Sequence, residues 1–365
     1  MEGTTFKRVK FVPNDDRDFG VTVRKRVREY FKSNNISRTG DYRMWIKVVV
    51  FPLMYLVPFG LLLTNWFSDN LWSFYGLWLF MALGVAGCGL GIMHDACHGS
   101  ISTKKSVNDL IGKVLNLIGG YVLNWKIQHN ILHHTYTNID GHDEDIDLEG
   151  LMRFSPNQPV RFYYRFQAIY AWFLYGFMTT TWVIYKDFLR LIDYHKKGLL
   201  KMQNARFGVE MFKLTIQKIL YFATFIVLPI IVLDVAWWHV ILGWLSMHFV
   251  VGLILTTVFT PAHVVPSSDF SQPDEENKVH TDWARHQMLN TSNFAPKSRI
   301  FSWYVGGLNY QIEHHLFPNI CHVHHRKISK IVKKTAEEFN LPYYSQPTFL
   351  AALISHAKML HKLRK

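Results

Sequence analysis

The stretch VVVFPLMYLVPFGLLLTNWFSDNLWSFYGLWLFMALGVAGCGLGIMHDACH, Val48–His98, decides what kind of fold this chain can adopt. It contains no Lys or Arg, and the cation-free window runs on to Thr103. A hydrocarbon layer about 30 Å thick is crossed by about 20 helical residues. The window therefore holds two spans, expected near Val48–Trp66 and Leu71–Met93, with NWFSDN (Asn65–Asn70) as the turn between them. Pro52 and Pro58 kink the first span without forbidding it.

A second window without Lys or Arg runs from Ile219 to Asn277. It predicts spans over Ile216–Leu233 and Ala236–Phe259, separated at Asp234. Between the two hairpins, AIYAWFLYGFMTTTWVIY (Ala168–Tyr185) is apolar enough for a fifth span. Arg161 and Arg165 precede it, and Lys186, Arg190, Lys196 and Lys197 follow it. A crossing there would put basic loops on both faces, so a helix lying in the interface, or re-entrant, is expected instead. The inter-span turns carry no Lys or Arg, which places the N-terminus, the central segment and the C-terminal region in the cytoplasm. The expected fold is an all-α integral membrane protein with four transmembrane helices, an interfacial helix and a helical cytoplasmic cap. It divides into an N-terminal segment (1–47), a first hairpin (48–93), a central cytoplasmic region (94–215), a second hairpin (216–259) and a C-terminal cytoplasmic region (260–365), all one functional domain.

Composition agrees. Of 365 residues, 49% are hydrophobic and 18% charged, below the roughly 25% charged usual in soluble domains. The 12 Trp suit two membrane interfaces. A net charge of +13 would fit nucleic acid. The cations flank apolar runs and form no recognition motif, so they point to lipid headgroups or a phosphorylated carrier, with no nucleic acid as partner. Three cysteines, Cys88, Cys97 and Cys321, are too few and too scattered for a disulfide framework or a thiolate metal site. The polar start MEGTTFKRVKFVPNDDRDFG is not a signal peptide.

Three histidine clusters lie on the expected cytoplasmic side, at or beyond span ends. HDACH spaces His94 and His98 at i and i+4. HNILHH spaces His129 and His133 likewise, with His134 beside them. QIEHH sets Gln311 and His314 at i and i+3, with His315 next. On a helix such pairs share a face. Neutral imidazole is the commonest biological metal ligand, and two metal ions with four or five ligands each would use about this many. Imidazole without thiolate suits zinc, iron or copper; a mostly histidine ring facing O2 chemistry favours iron. His239 and His248, inside the fourth span, are read as hydrogen-bonded packing. His195, His280, His286, His322, His324, His325, His356 and His361 are read as surface or juxtamembrane. The acidic run GHDEDIDLEG (Gly141–Gly150) either is simply solvated or supports the ligands. Asp143 and Asp145, with Asp95, are candidates to accept the free ring N–H of a ligating histidine, and His142 is a reserve ligand.

The boxes HDACH, HNILHH and QIEHH resemble the three histidine boxes of the membrane fatty acid desaturase family. The Gln opening the third box resembles the front-end subgroup, which includes Δ5 and Δ6 desaturases and relatives acting on sphingolipids. HHTYTNIDGHDEDID, GGLNYQIEHHLFP and RKISKIVKKTAEEFNLPY agree, and the likeness covers roughly residues 20–365. It implies ligand roles for His94, His98, His129, His133, His134, His314 and His315, and for a histidine after the last span, matched by His263 in TTVFTPAH. Gln311 stands where many desaturases have His. The resemblance implies two Fe ions (with zinc as a substitute in purified protein), O2 as co-substrate, and a fatty acyl-CoA or acyl-lipid substrate that receives a cis double bond, as in a Δ6-type enzyme on a C18 chain. Many front-end desaturases carry a fused cytochrome b5 domain with an HPGG motif. This chain has no HPGG, and about 47 residues precede its first span, so a separate ferredoxin or cytochrome b5 with its reductase is the expected electron donor. The rival readings are a hydroxylase on the same scaffold and a metal transporter. The transporter is disfavoured because its ligands would sit near mid-membrane.

Overall fold

The computed structural model describes residues 6–13, 18–148 and 150–365. Glu149, in the acidic run, lies outside the described residues. After a two-residue strand, β1 (Lys10–Phe11), comes α1 (Phe19–Ser33), and then the four helices long and apolar enough to cross a membrane: α2 (Tyr42–Leu62), α3 (Leu71–Cys97), and later α7 (Phe207–Val232) and α8 (Trp237–His263). Between the hairpins run the helical segment α4 (Lys105–Gly112), α5 (122–136) and the broken helix α6 (167–196). The C-terminal third adds β2 (Lys278–Val279), α9 (Trp283–Asn290), β3 (Asn293–Phe294), α10 (Gln311–Leu316), α11 (His325–Glu338), β4 (Ser345–Gln346) and α12 (Phe349–Lys362). The strands form two parallel pairs, with Lys10 opposite Lys278 and Asn293 opposite Ser345.

The first two spans begin where caps are available. Asp41 accepts from the Arg43 backbone N–H ahead of α2, and Asn70 from Trp72 and Ser73 ahead of α3. α2 stays continuous through Pro52 and Pro58. Its start, six residues earlier than the expected Val48, takes Lys47 into the helix, where it is buried. α7 likewise starts at Phe207 instead of Ile216, and α8 runs on past Phe259 to carry His263 in its last turn. Ion pairs and polar side chains at the helix ends extend the helices beyond the purely apolar windows.

α3 is the interior helix. Its apolar window is 67% buried inside the molecule, against 22–39% for the other three, and it packs on both α2 and α8. Small residues permit this. A Cβ added at Gly84 would stand 2.6 Å from the Tyr55 backbone N, and one at Gly252 2.5 Å from the Gly176 carbonyl O. Those contacts mark close backbone approach of α3 to α2 and of α8 to α6. The turns of the two hairpins are tied together: Asn65 donates to the Val232 carbonyl at 2.9 Å, and the Asp234 N–H donates to the Asn65 side chain at 2.9 Å.

Residues 168–185, the segment weighed as a fifth span, form pieces of helix (Gln167–Gly176, Met178–Thr181, then a π turn) packed along α8. In the cap, α1 lays Phe19, Val23 and Val27 onto Met288, Ile312, Leu316, Ile328 and Val332 of α9, α10 and α11. This i, i+4 stripe docks the N-terminal helix directly over the third histidine box.

Candidate metal centre

A π turn leads into the first box, which is itself α-helical, and the second box lies on a π turn. Cys88–Met93 is a π turn immediately before His94, and Lys126–His133 is another, closed by the His134 N–H bonding back to the His129 carbonyl. In an α-helix His134 would point about 140° away from His129, at roughly 100° per residue. A π turn holds roughly 4.4 residues and brings i+5 nearly back onto the same face. His129 and His134 accordingly place their Nε2 atoms 3.2 Å apart. The i, i+4 α-helical face expected for this box is therefore corrected to a π-helical one that gathers His129, His133 and His134 together. π turns inside helices occur mostly at functional sites.

The end of α3 (His94, with His98 just after it), α5 (His129, His133, His134), the last turn of α8 (His263) and α10 (His314, His315) converge. Ring nitrogens of His94, His98, His129 and His314 all lie within 4.8 Å of one another, as do those of His133, His263 and His315. His134 joins His314 and His315 in a third such group. The His94 and His129 Nε2 atoms are 3.1 Å apart. Two nitrogens bonded to one metal at about 2.1 Å would stand roughly 3.0–3.4 Å apart.

Three of these eight histidines are locked in one tautomer. His133 Nδ1 donates to Asp143 at 3.0 Å, His315 Nδ1 to the Gln287 side-chain oxygen at 2.8 Å, and His263 Nδ1 to the Asn290 carbonyl at 3.2 Å. Each leaves its Nε2 buried with no hydrogen-bond partner, and so do His98 Nε2, His314 Nε2 and the Gln311 Oε1. Buried polar atoms are normally paired. So many unpaired ring nitrogens converging on one small volume fit metal ions, and the donor set, imidazole with no thiolate, fits iron or zinc. Burial favours the neutral imidazole, the form that ligation requires. It pushes His129 down to about 3, and holds His98, His134, His314 and His315 well below the ordinary histidine range, helped by their neighbours' charge. His133 goes the other way. Burial presses it down, but Asp143 more than offsets that.

Aromatic walls close each half. The Trp125 ring stacks on His129 at 4.4 Å between centroids, and Phe259 lies 5.1 Å from His133 and 4.8 Å from His263. Under α10, Glu313 is buried and accepts from Asn293 and Tyr343. Burial pushes its carboxyl up to about 8 against those bonds.

The three carboxylates singled out in the sequence occupy different places. Asp143 accepts from His133 and from the Asn138 N–H. Asp145 accepts from Gln128 and lies 3.6 Å from His133 Nδ1 and 3.9 Å from His129 Nδ1. Asp95 accepts from His322 Nδ1 at 2.8 Å and stands 3.6 Å from His94 Nδ1. His142 is turned away, its ring on the Lys7 carbonyl. The surface reading of five histidines is corrected: His286, His322, His324, His325 and His356 are buried. His322 bridges Asp95 to the buried Lys47, whose Nζ is 2.7 Å from His322 Nε2. Their spacing carries no periodic signal, because their partners lie far away in the chain. Gln287 and Asn290 were missed for the same reason. His195, His280 and His361 are exposed. His248 is packed, bonded to Tyr221 and Thr179, and His239 bonds Tyr75.

Residues 70–347 match the fatty acid desaturase family. The sn-1 linoleoyl-lipid 6-desaturase of Synechocystis is 32% identical over 365 residues, 99% of each chain. The enzyme of that name from Arthrospira platensis is 35% identical over 347 residues, 94% of this chain and 92% of its own. The acyl-lipid (8-3)-desaturase of Physcomitrium patens is 34% identical over 359 residues, 97% of this chain and 73% of its own. Four apolar helices, a buried histidine cluster at their ends and relatives matched along nearly the whole chain lead to one assignment: this chain belongs to the fatty acid desaturase family, in its front-end branch, and is an oxidoreductase of the membrane.

Proposed function

We propose that this desaturase inserts a cis double bond at the sixth carbon of a C18 acyl chain carried on a membrane lipid. The two 6-desaturases aligned over almost their full length support the position and the carrier. The observation that carries the reaction is the set of buried ring nitrogens, fixed by Asp143, Gln287 and Asn290, that converge without hydrogen-bond partners. His94, His98, His129 and His314 would hold one iron and His133, His263 and His315 the other, with His134 between them and Gln311 beside His314. When bound, the iron pair supplies O2 reduction and the oxidising power for an unactivated C–H bond. The chain's own part is to hold His98, His129, His134, His314 and His315 neutral, to orient His133, His263 and His315 through Nδ1 and to keep water out with Trp125 and Phe259. The basic segments support a cytoplasmic placement of both termini and of the histidine centre. Electrons come from a separate ferredoxin or cytochrome b5.

The test is expression in a host that makes no polyunsaturated lipids, fed linoleic acid, with products mapped by mass spectrometry. A new double bond between carbons 6 and 7, appearing first in the lipid fraction, is expected. A product one oxygen heavier would mean hydroxylation and sink the proposal; a bond elsewhere would sink the regiochemistry. Product appearing first in acyl-CoA would reassign the carrier.

A further inference from the structure

We infer that the basic groove on the outer face of α1 docks an acidic one-electron carrier protein; the inference rests on the reading that the centre draws its electrons from a separate protein. α1 buries Phe19, Val23 and Val27 and leaves Arg24, Arg28 and Lys32 exposed. With Arg38 they line a groove of about 670 Å³ whose floor includes Phe317 and Ile320. None of these four cations has an ion-pair partner among the described residues, whereas Arg26 on the same helix is tied to Glu338 at 2.6 Å. Unpaired like charges in one concavity raise its potential and draw in an anionic surface. A charged rim around an apolar floor is the make-up of a protein interface.

The floor leads inward. The Ile320 carbonyl accepts from His325 Nε2 at 3.2 Å, and the His325 ring packs 6.1 Å from that of His314. Phe317 directly follows the helix that carries His314 and His315. A redox group seated here faces a short, packed route to the centre. A lipid headgroup would use the cations but has no use for that route. A helix lying on lipid also presents an apolar face to it, and the apolar face of α1 is spent on the cap, leaving Val21 as its one exposed large apolar residue.

The overall step is R–CH2–CH2–R′ + O2 + 2 e− + 2 H+ → R–CH=CH–R′ + 2 H2O. Two C–H bonds break and one C=C bond forms. O2 gains four electrons, two from the acyl chain and two from successive dockings, each oxidising one reduced carrier; the added protons come from water.

The full-length enzyme would be assayed in phosphatidylcholine nanodiscs, with reduced [2Fe–2S] ferredoxin and, in parallel, soluble cytochrome b5, each with its reductase. Arg28→Glu/Lys32→Glu should raise the KM for the carrier at least tenfold at low ionic strength, the gap closing with salt. Arg28→Lys/Lys32→Arg should keep the wild-type KM. Single turnover of dithionite-reduced enzyme should be unchanged in both. If the reversed pair loses that turnover, Arg28→Gln/Lys32→Gln replaces it, with a rise of about threefold expected. An unchanged carrier KM with intact single turnover overturns the docking site, as does turnover with dithionite but with neither carrier. A defect seen only in phosphatidylglycerol nanodiscs assigns the groove to headgroups and also overturns it. Failure of dithionite-reduced wild-type enzyme to make product instead overturns the reading of the centre.

Discussion

The tautomers of His133, His263 and His315 are each set by a neighbour that accepts the Nδ1 proton. His133 has its Nδ1 proton on Asp143, which leaves a single lone pair facing the cluster. Asp143→Asn keeps the shape but can present an amide N–H to that nitrogen, so metal affinity should fall about 10–100-fold, read by competition with a chelator; affinity equal to wild type would remove Asp143 from the site. His133→Ala or His314→Ala should abolish turnover while the protein still inserts in the membrane, since neither residue lies in a crossing helix. His248→Gln should retain most activity per folded molecule, because His248 bonds Tyr221 and Thr179. Turnover surviving in both alanine variants would overturn the ligand assignment.

At the scale of elements, the fold depends on which apolar segments cross. α6 is interrupted at Phe177 and packs along α8, and it does not reach the length and apolarity of the four crossing helices. A cysteine or reporter placed after Lys201 should therefore label from the cytoplasmic side, as should one near the C-terminus. Labelling from the opposite side would make 168–185 a fifth span. The π turns belong to this scale too. They re-aim His94 and His134 without adding a loop, and a loop would expose backbone near the membrane surface.

For the whole molecule, the eight converging histidines, gathered around His94, His98, His129 and His314 and around His133, His263 and His315 with His134 between them, imply about two metal ions per chain. Metal analysis of active protein should find two irons, and zinc after overexpression is an acceptable substitute; one ion or none in active protein would refute the paired centre. The cap should also be acid-sensitive. Burial pushes His286 and His356 down to about 4, against hydrogen bonds that raise them. Both are neutral in the fold, while the unfolded chain takes up protons near pH 6.5, so protonation favours unfolding. Their stability contribution is full above about pH 6.5 and falls as pH drops toward 4, by up to about 3 kcal/mol each. In detergent, the thermal midpoint should drop over that range, and His356→Asn should flatten the slope. An equal slope in the variant would exclude His356 as a source.

Membrane spanning was legible in the sequence because it is a local property: twenty apolar residues without a cation cross a bilayer wherever they occur in the chain. The three histidine boxes were legible for the same reason, each being a cluster within six residues. Helix ends were less so, since the Asp41 cap and the buried Lys47 carried α2, and the ion pairs of Lys213 and Lys218 carried α7, beyond their apolar windows. Only the tertiary structure decided that residues 94 and 314 share one cluster, that π turns aim the second box, and that His322, Lys47, Gln287 and Asn290 stand behind or beside the ligands. Those contacts join residues up to 275 positions apart. No periodicity along the chain encodes such a pairing; it exists once α3, packed between α2 and α8, sets the heights at which the boxes meet.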